Sequence, residues 1–279
     1  MISAEISRVE EAFDMEVLFA CDYGSRTWGL EGPSSDFDIR MIYKDPPRRA
    51  FSLFNDRDMM KHEVELPDPE GNLTQVDLIG WSLPKALKLA QVSNPQILEF
   101  MASPFFYRCD DTLKDSLSGI AERFSPRIMG HYYRGLAKKN YLGSMVNTQK
   151  QDIKVALQTA RCLMMSRWIV RTGGEVPPMN FNNLLDQSAA GWSKYHRENL
   201  VPQIQELVSL KVDQGWRHTF RHYPTLMNWA ISEITDLDKD VMSLPDETVP
   251  GEIVEKAFQR HYPETFQDPE EFCEPLKMG

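Results

Sequence analysis

Glu16-Val17-Leu18-Phe19-Ala20-Cys21-Asp22-Tyr23-Gly24-Ser25-Arg26, followed after a short spacer by Asp36-Phe37-Asp38-Ile39-Arg40-Met41-Ile42-Tyr43, decides the fold. Glu16 to Cys21 is an apolar run bounded by polar residues, which predicts a buried strand. Asp22 to Ser25 is turn-forming, and Ser25 suits the N-cap of a short helix starting at Arg26. Gly32-Pro33-Ser34-Ser35 marks a second turn. From Asp36 the pattern alternates with period two. Phe37, Ile39 and Met41 share one face of a strand, and Asp36, Asp38 and Arg40 share the other.

Upstream, Ile6, Val9 and Phe13 at helical spacing predict a helix over 3–13. Downstream, residues 56–66 read as a weak strand and Leu73 to Ile79 as an alternating one. Residues 83–90 and 94–101 then read as helices, with Pro84 tolerated in the first turn. From about Ser125 the periodicity is helical: 131–145, 152–171, 198–213, 216–233 and 251–260. Gly173-Gly174 and Pro177-Pro178 stop the second of these. The expectation is an α+β chain with a mixed N-terminal module over 1–105, a helical module over 106–240 and an acidic, Pro-rich extension over 241–279.

The 279 residues are 42% hydrophobic and 26% charged. That balance excludes a collagen, a coiled coil and a disordered chain. No apolar run approaches the length of a membrane span, and no leader is visible at the start. Cys21, Cys109, Cys162 and Cys273 lack CxxC spacing. A zinc ribbon or disulfide framework is therefore disfavoured, and buried thiols in a reducing cytoplasm are expected. The net charge of −10 is unevenly spread. Arg123 to Arg171 carries ten bases and one acid, whereas 231–279 carries 13 acids and four bases.

The chemistry concentrates at the quoted stretch. Asp36 and Asp38 side by side repel each other, and a divalent cation between them relieves the repulsion. The Gly24-Ser25 turn offers backbone N–H groups and a helix start, a cradle for phosphate. Asp77, on the neighbouring strand, is placed to complete a two-metal site in which Asp36 and Asp38 bridge the ions and Asp77 helps activate a nucleophile. Arg26 and Arg40 are either ion-pair partners of these acids or substrate ligands. In the basic stretch, Lys154, Gln158 and Arg161 share one helix face, and Arg134 and Lys138 share another. These faces either hold an anionic triphosphate and acceptor or are simply solvated. His218 and His222 have i, i+4 spacing but no third ligand nearby, so a packed helix is preferred. Trp168, Trp192 and Trp229 read as core. Tyr132, Tyr133 and Tyr141 are core or base-stacking residues.

Gly-Ser, a spacer, Asp-x-Asp and a later Asp resemble the signature of the DNA polymerase β superfamily of nucleotidyltransferases. More narrowly, Gly24-Ser25-Arg26-Thr27-Trp28-Gly29, Ser35-Asp36-Phe37-Asp38-Ile39-Arg40, Asp77-Leu78-Ile79-Gly80-Trp81, Asn94-Pro95 with Leu98-Glu99, and Phe124-Ser125-Pro126-Arg127 are similar to the nucleotidyltransferases associated with RNA ligases in RNA repair. The likeness covers about residues 15–185. It implies a palm domain at 1–105 and a helical domain closing over the nucleotide. It also implies two Mg²⁺ ions (Mn²⁺ as substitute) on Asp36, Asp38 and Asp77, and a nucleoside triphosphate such as ATP. Gly24, Ser25, Arg26, Arg40, Lys138, Lys154 and Arg161 would hold the phosphates. The acceptor implied is an RNA 3′ end, with pyrophosphate released and a functional link to an RNA ligase. One departure is Asp22-Tyr23, where the family pattern has a Glu-Ser-like pair. Two alternatives stand beside this: nucleotidylation of a protein or small molecule, as in toxin–antitoxin and drug-modifying systems, and a catalytically silent nucleotide- or RNA-binding scaffold.

Overall fold

Every residue of the strand Glu16–Asp22 except the first is buried, because both of its faces are covered. The computed structural model describes residues 1–32, 35–55, 57–67, 71–145, 152–214 and 223–266. In chain order the elements begin α1 (Ile2–Phe13), β1 (Glu16–Asp22), β2 (Phe37–Lys44), α2 (Pro47–Ala50), β3 (Met59–Pro67), β4 (Leu73–Ser82), α3 (Leu83–Gln91), α4 (Gln96–Met101), β5 (Phe106–Cys109) and α5 (Asp111–Ala121). They continue with α6 (Pro126–Asn140) and a π-helical turn at Tyr141–Met145. Then follow α7 (Ile153–Thr172), α8 (Phe181–Ala189), α9 (Lys194–Gln214), α10 (Pro224–Met242) and α11 (Gly251–Gln259). The chain is an α+β protein.

The five strands form one mixed sheet in the order β3-β4-β2-β1-β5. The β2–β4 pair is parallel; the other three pairs are antiparallel. Period-two alternation sends Ile39, Met41 and Tyr43 to one face, where Ile2, Ile6 and Val9 of α1 cover them. The other face carries Leu18, Phe19, Cys21 and Ile42 into a larger core shared with the helices, including Leu157, Leu163 and Phe181. A single apolar cluster therefore runs from the sheet into the helical region.

Several expectations need correction. No helix starts at Arg26. Residues 25–29 form turns, in which the Leu30 N–H donates to the Ser25 carbonyl at 2.8 Å, and Gly29, at φ +65°, ends the coil. β5 lies past residue 105 yet pairs with β1, so the sheet crosses the expected module boundary. β5, α5 and α8 have no counterpart among the elements expected from the sequence. Cys21 and Cys162 are buried as expected, but Cys109 is exposed; Cys273 lies outside the described residues. So do His218 and His222. Trp229 is core, while Trp168 and Trp192 pack half-buried against it. No helix among the described residues is long and apolar enough to cross a membrane.

The charge asymmetry also finds a structural account. Arg127 pairs with Asp246 at 3.3 Å, Arg134 with Asp238 at 2.8 Å, and Arg167 with Glu233 at 2.6 Å and with Asp240. Bases of the 123–171 stretch thus meet acids of the C-terminal stretch, Arg134 and Arg167 across the interface of α10 with α6 and α7 and Arg127 just past the end of α10.

Candidate active site

β2 and β4 run parallel with Asp38 opposite Asp77, and β3 places Glu63 opposite Asp77 on its other side. Three acids therefore lie in one row across neighbouring strands about 4.8 Å apart. The carboxylate of Asp77 accepts from Gln75 Nε2 at 3.1 Å, and Glu63 is ion-paired with Lys61. Asp36 is exposed, one residue before β2 begins. Among the described residues no three His, Cys, Asp or Glu side chains gather tightly enough to make a metal cluster. Asp38 and Asp77 are brought together; Asp36 is not drawn into a common ligand set with them. A pair of carboxylates still fits Mg²⁺, which commonly takes one or two carboxylates and completes its shell with water and substrate phosphate.

Gly24 is packed against Asp38. A Cβ at position 24 would overlap the Asp38 carboxylate, so only glycine lets the turn approach this closely. The Tyr23 N–H donates to the Asp38 carbonyl at 2.8 Å, fastening the turn to β2. Because the Arg26 helix is absent, the Gly-Ser turn itself brings no helix N-terminus to the site. The Gly24 N–H is already donated to Asp22 Oδ1 at 3.1 Å, so it is not an open phosphate donor.

Gly24, Ser25, Asp38 and Arg40 line a cavity of about 200 Å³ together with Lys154, Gln158 and Arg161 of α7. Tyr23, Trp28, Leu30, Leu157 and Phe181 complete its lining. The face of α7 read from the sequence is thus the face that looks at the Gly-Ser turn. Lys138 is exposed on α6 and does not line this cavity. Arg134 braces α6 to α10, donating to the Ile234 carbonyl at 2.9 Å besides its ion pair. Arg26 lies over the Phe37 ring at 3.9 Å and donates to the Ser35 carbonyl at 3.3 Å. It holds the loop before β2. Arg40 sits 5.5 Å from the Tyr23 ring and lines the cavity.

Arg161 lies 3.3 Å over the Trp28 ring, and its Nη1 is buried without a hydrogen-bond partner. Beneath it, the buried Glu99 carboxylate accepts from the hydroxyls of Tyr23 and Tyr133, the latter at 2.8 Å. Burial, then the charge of Glu99, pushes both phenols well above their ordinary pKa. Tyr133 and Tyr141 are buried, so they are core residues and not stacking platforms. The sequence had no signal for Glu99 beyond its place in the family-like Leu98-Glu99. Asp22 is buried with Oδ2 unpartnered. Desolvation raises its pKa to about 6 and the Asp38 charge adds to the rise, while the Gly24 N–H, Arg26 and Arg40 oppose it.

Among known proteins, the family model described as RlaP, RNA repair pathway DNA polymerase beta family, matches residues 1–258. An uncharacterized protein of Bacillus subtilis (strain 168), YcgL, is 29% identical over 187 residues, 67% of this chain and 68% of that protein. The crystal structure of a nucleotidyltransferase-like protein from Exiguobacterium sibiricum 255-15 aligns over 96% of this chain and 80% of its own, at 8% identity and a TM-score of 0.33. That structural likeness is too slight to bear on function.

Proposed function

The chain belongs to the RNA repair pathway DNA polymerase beta family, and from that premise we propose that it is a metal-dependent nucleotidyltransferase acting on an RNA 3′ end. The observation that carries the reading is Asp38 standing beside Asp77 in register, with Gly24 pressed on the Asp38 carboxylate at the edge of a basic cavity. The reaction moves a nucleoside monophosphate. The acceptor hydroxyl oxygen bonds to the α-phosphorus, the bond to the bridging oxygen breaks, and pyrophosphate leaves.

Asp38 and Asp77 would hold Mg²⁺, with Asp36 approaching from the loop; the ion supplies a lowered hydroxyl pKa and neutralises phosphate charge. Lys154 faces the triphosphate as a mobile point charge. Arg161 is held flat on Trp28, leaving its buried Nη1 to donate to a phosphate or ribose oxygen. Ser25 adds a hydroxyl donor. The apolar side chains of the lining would keep water from the reacting groups. A second ion, with Mn²⁺ as a substitute, and a partnership with an RNA ligase belong to the same proposal.

Incubation with each labelled nucleoside triphosphate, Mg²⁺, mixed RNA and lysate protein tests it. Label entering RNA with release of pyrophosphate supports the reading. Label entering protein or a small molecule replaces the acceptor, and no release under any condition favours the silent scaffold. Asp38→Asn is expected to cut transfer by about 10²–10³-fold, the scale of losing one electrostatic stabiliser of the transition state. Wild-type activity in that variant refutes the site.

A further inference from the structure

The loop entering β2 is gripped from the far end of the chain. Lys211, in the last turn of α9, is 1% exposed. Its Nζ donates to the Leu30 carbonyl and to Ser35 Oγ, the latter at 3.2 Å. Ser35 Oγ in turn accepts from the Gly32 N–H at 2.9 Å. Gly32 is pressed against the backbone carbonyl of Val212, where any Cβ would overlap it. From the other side Arg26 donates to the Ser35 carbonyl. Ser35 immediately precedes Asp36, so these contacts converge on the residue that launches the acidic strand. A buried ammonium is costly to desolvate and is tolerated where its donors are used. Burial draws this one below the ordinary lysine pKa, with Glu31 and Asp36 opposing the shift and Arg26 and Lys154 adding to it.

We infer that Lys211 is a positioning residue: by holding Leu30 and Ser35 it fixes the start of β2 and thereby the aim of Asp38 at the divalent ion. The inference rests on the metal-dependent reading above. It has a distinctive sign. Lys211 is a positive charge within the field of Asp36. Removing it by charge alone makes the site more negative and tightens a divalent cation. Removing the grip weakens the cation, because ligands must be pre-aimed to bind well.

The test is Mn²⁺ binding to the full chain, followed by electron paramagnetic resonance, in wild type, Lys211→Met and Ser35→Ala. Lys211→Met is expected to weaken Mn²⁺ by about tenfold or more, the usual scale for losing a group that orients a metal ligand. Ser35→Ala keeps the lysine charge and is expected to weaken binding in the same direction by a smaller factor. Circular dichroism checks the fold, and if Lys211→Met does not fold, the affinity of Ser35→Ala decides between the two signs. Affinity that is unchanged or tighter in the folded variants overturns the positioning role while leaving the metal site intact. A wild-type chain that binds no Mn²⁺ overturns the metal reading and this inference together.

Discussion

A single absent side chain sets the approach of the turn to Asp38. Gly24→Ala places a methyl on the Asp38 carboxylate, and the expected result is transfer activity as low as that of Asp38→Asn, with an unchanged far-ultraviolet circular dichroism spectrum. Asp22 next door carries a pH signature. Its folded pKa, about 6, lies above the unfolded value of 3.8. A carboxyl with a raised folded pKa leaves the native state binding more protons across that window, so stability is fully present below about pH 4 and falls as pH rises through 6. The loss by pH 8 is at most about 3 kcal/mol. Asp22→Asn is expected to flatten this dependence and to exceed wild type at pH 8; urea titrations at pH 5 and pH 8 measure it. At this scale spacing revealed residue identity but not direction. Asp38, Asp77, Lys154 and Arg161 were readable because strand and helix periods fix which face a residue takes. Arg26 and Arg134 were not, because a long flexible side chain chooses its partner in three dimensions.

At the scale of the element, local signals worked where caps and periodicity agreed. Ser125 accepts from the Ile128 N–H at 3.2 Å and fixes the start of α6, with Pro126 in the first turn. Ser125→Ala should cost about 1 kcal/mol in chemical denaturation, the usual worth of an N-cap. The expected helix at Arg26 failed because Gly29 adopts the left-handed conformation, and because the Trp28 carbonyl is engaged by the Phe181 N–H at 2.8 Å. That second contact is tertiary and lies beyond any local window. α5 buries Leu113, Ser116, Leu117 and Ile120 and is capped by Asp110, a pattern present in the sequence but diluted by its polar residues. β5 has four residues with Phe106 and Cys109 exposed, so an edge strand of that length leaves no alternation to read.

For the whole molecule, the charge imbalance of the sequence becomes an internal docking device between α10 and the basic helices. Partly exposed pairs of this kind contribute about 1 kcal/mol each and are screened by salt. The expected outcome is a modest fall of the thermal midpoint between 50 mM and 1 M NaCl, which Arg167→Met diminishes. The C-terminal region also returns to the sheet. The Tyr262 hydroxyl donates to the Asp45 carbonyl at 2.9 Å, and Phe51 meets the rings of Phe258 and Tyr262. Tyr262→Ala should lose about 3 kcal/mol and Tyr262→Phe about 1 kcal/mol by urea titration. The α+β class followed from the order of apolar patterns, whereas this return could not, since nothing local in 258–266 names its partner.

That return has a bearing on biosynthesis. All five strands emerge from the ribosome well before Tyr262, so in the nascent sheet the Asp45 carbonyl, just past the end of β2, waits for its Tyr262 donor until residue 262 follows. A polypeptide stalled before residue 258 therefore lacks the rings of Phe258 and Tyr262 and leaves Phe51 more open to chaperones and proteases than the folded chain, in which it is still 43% exposed.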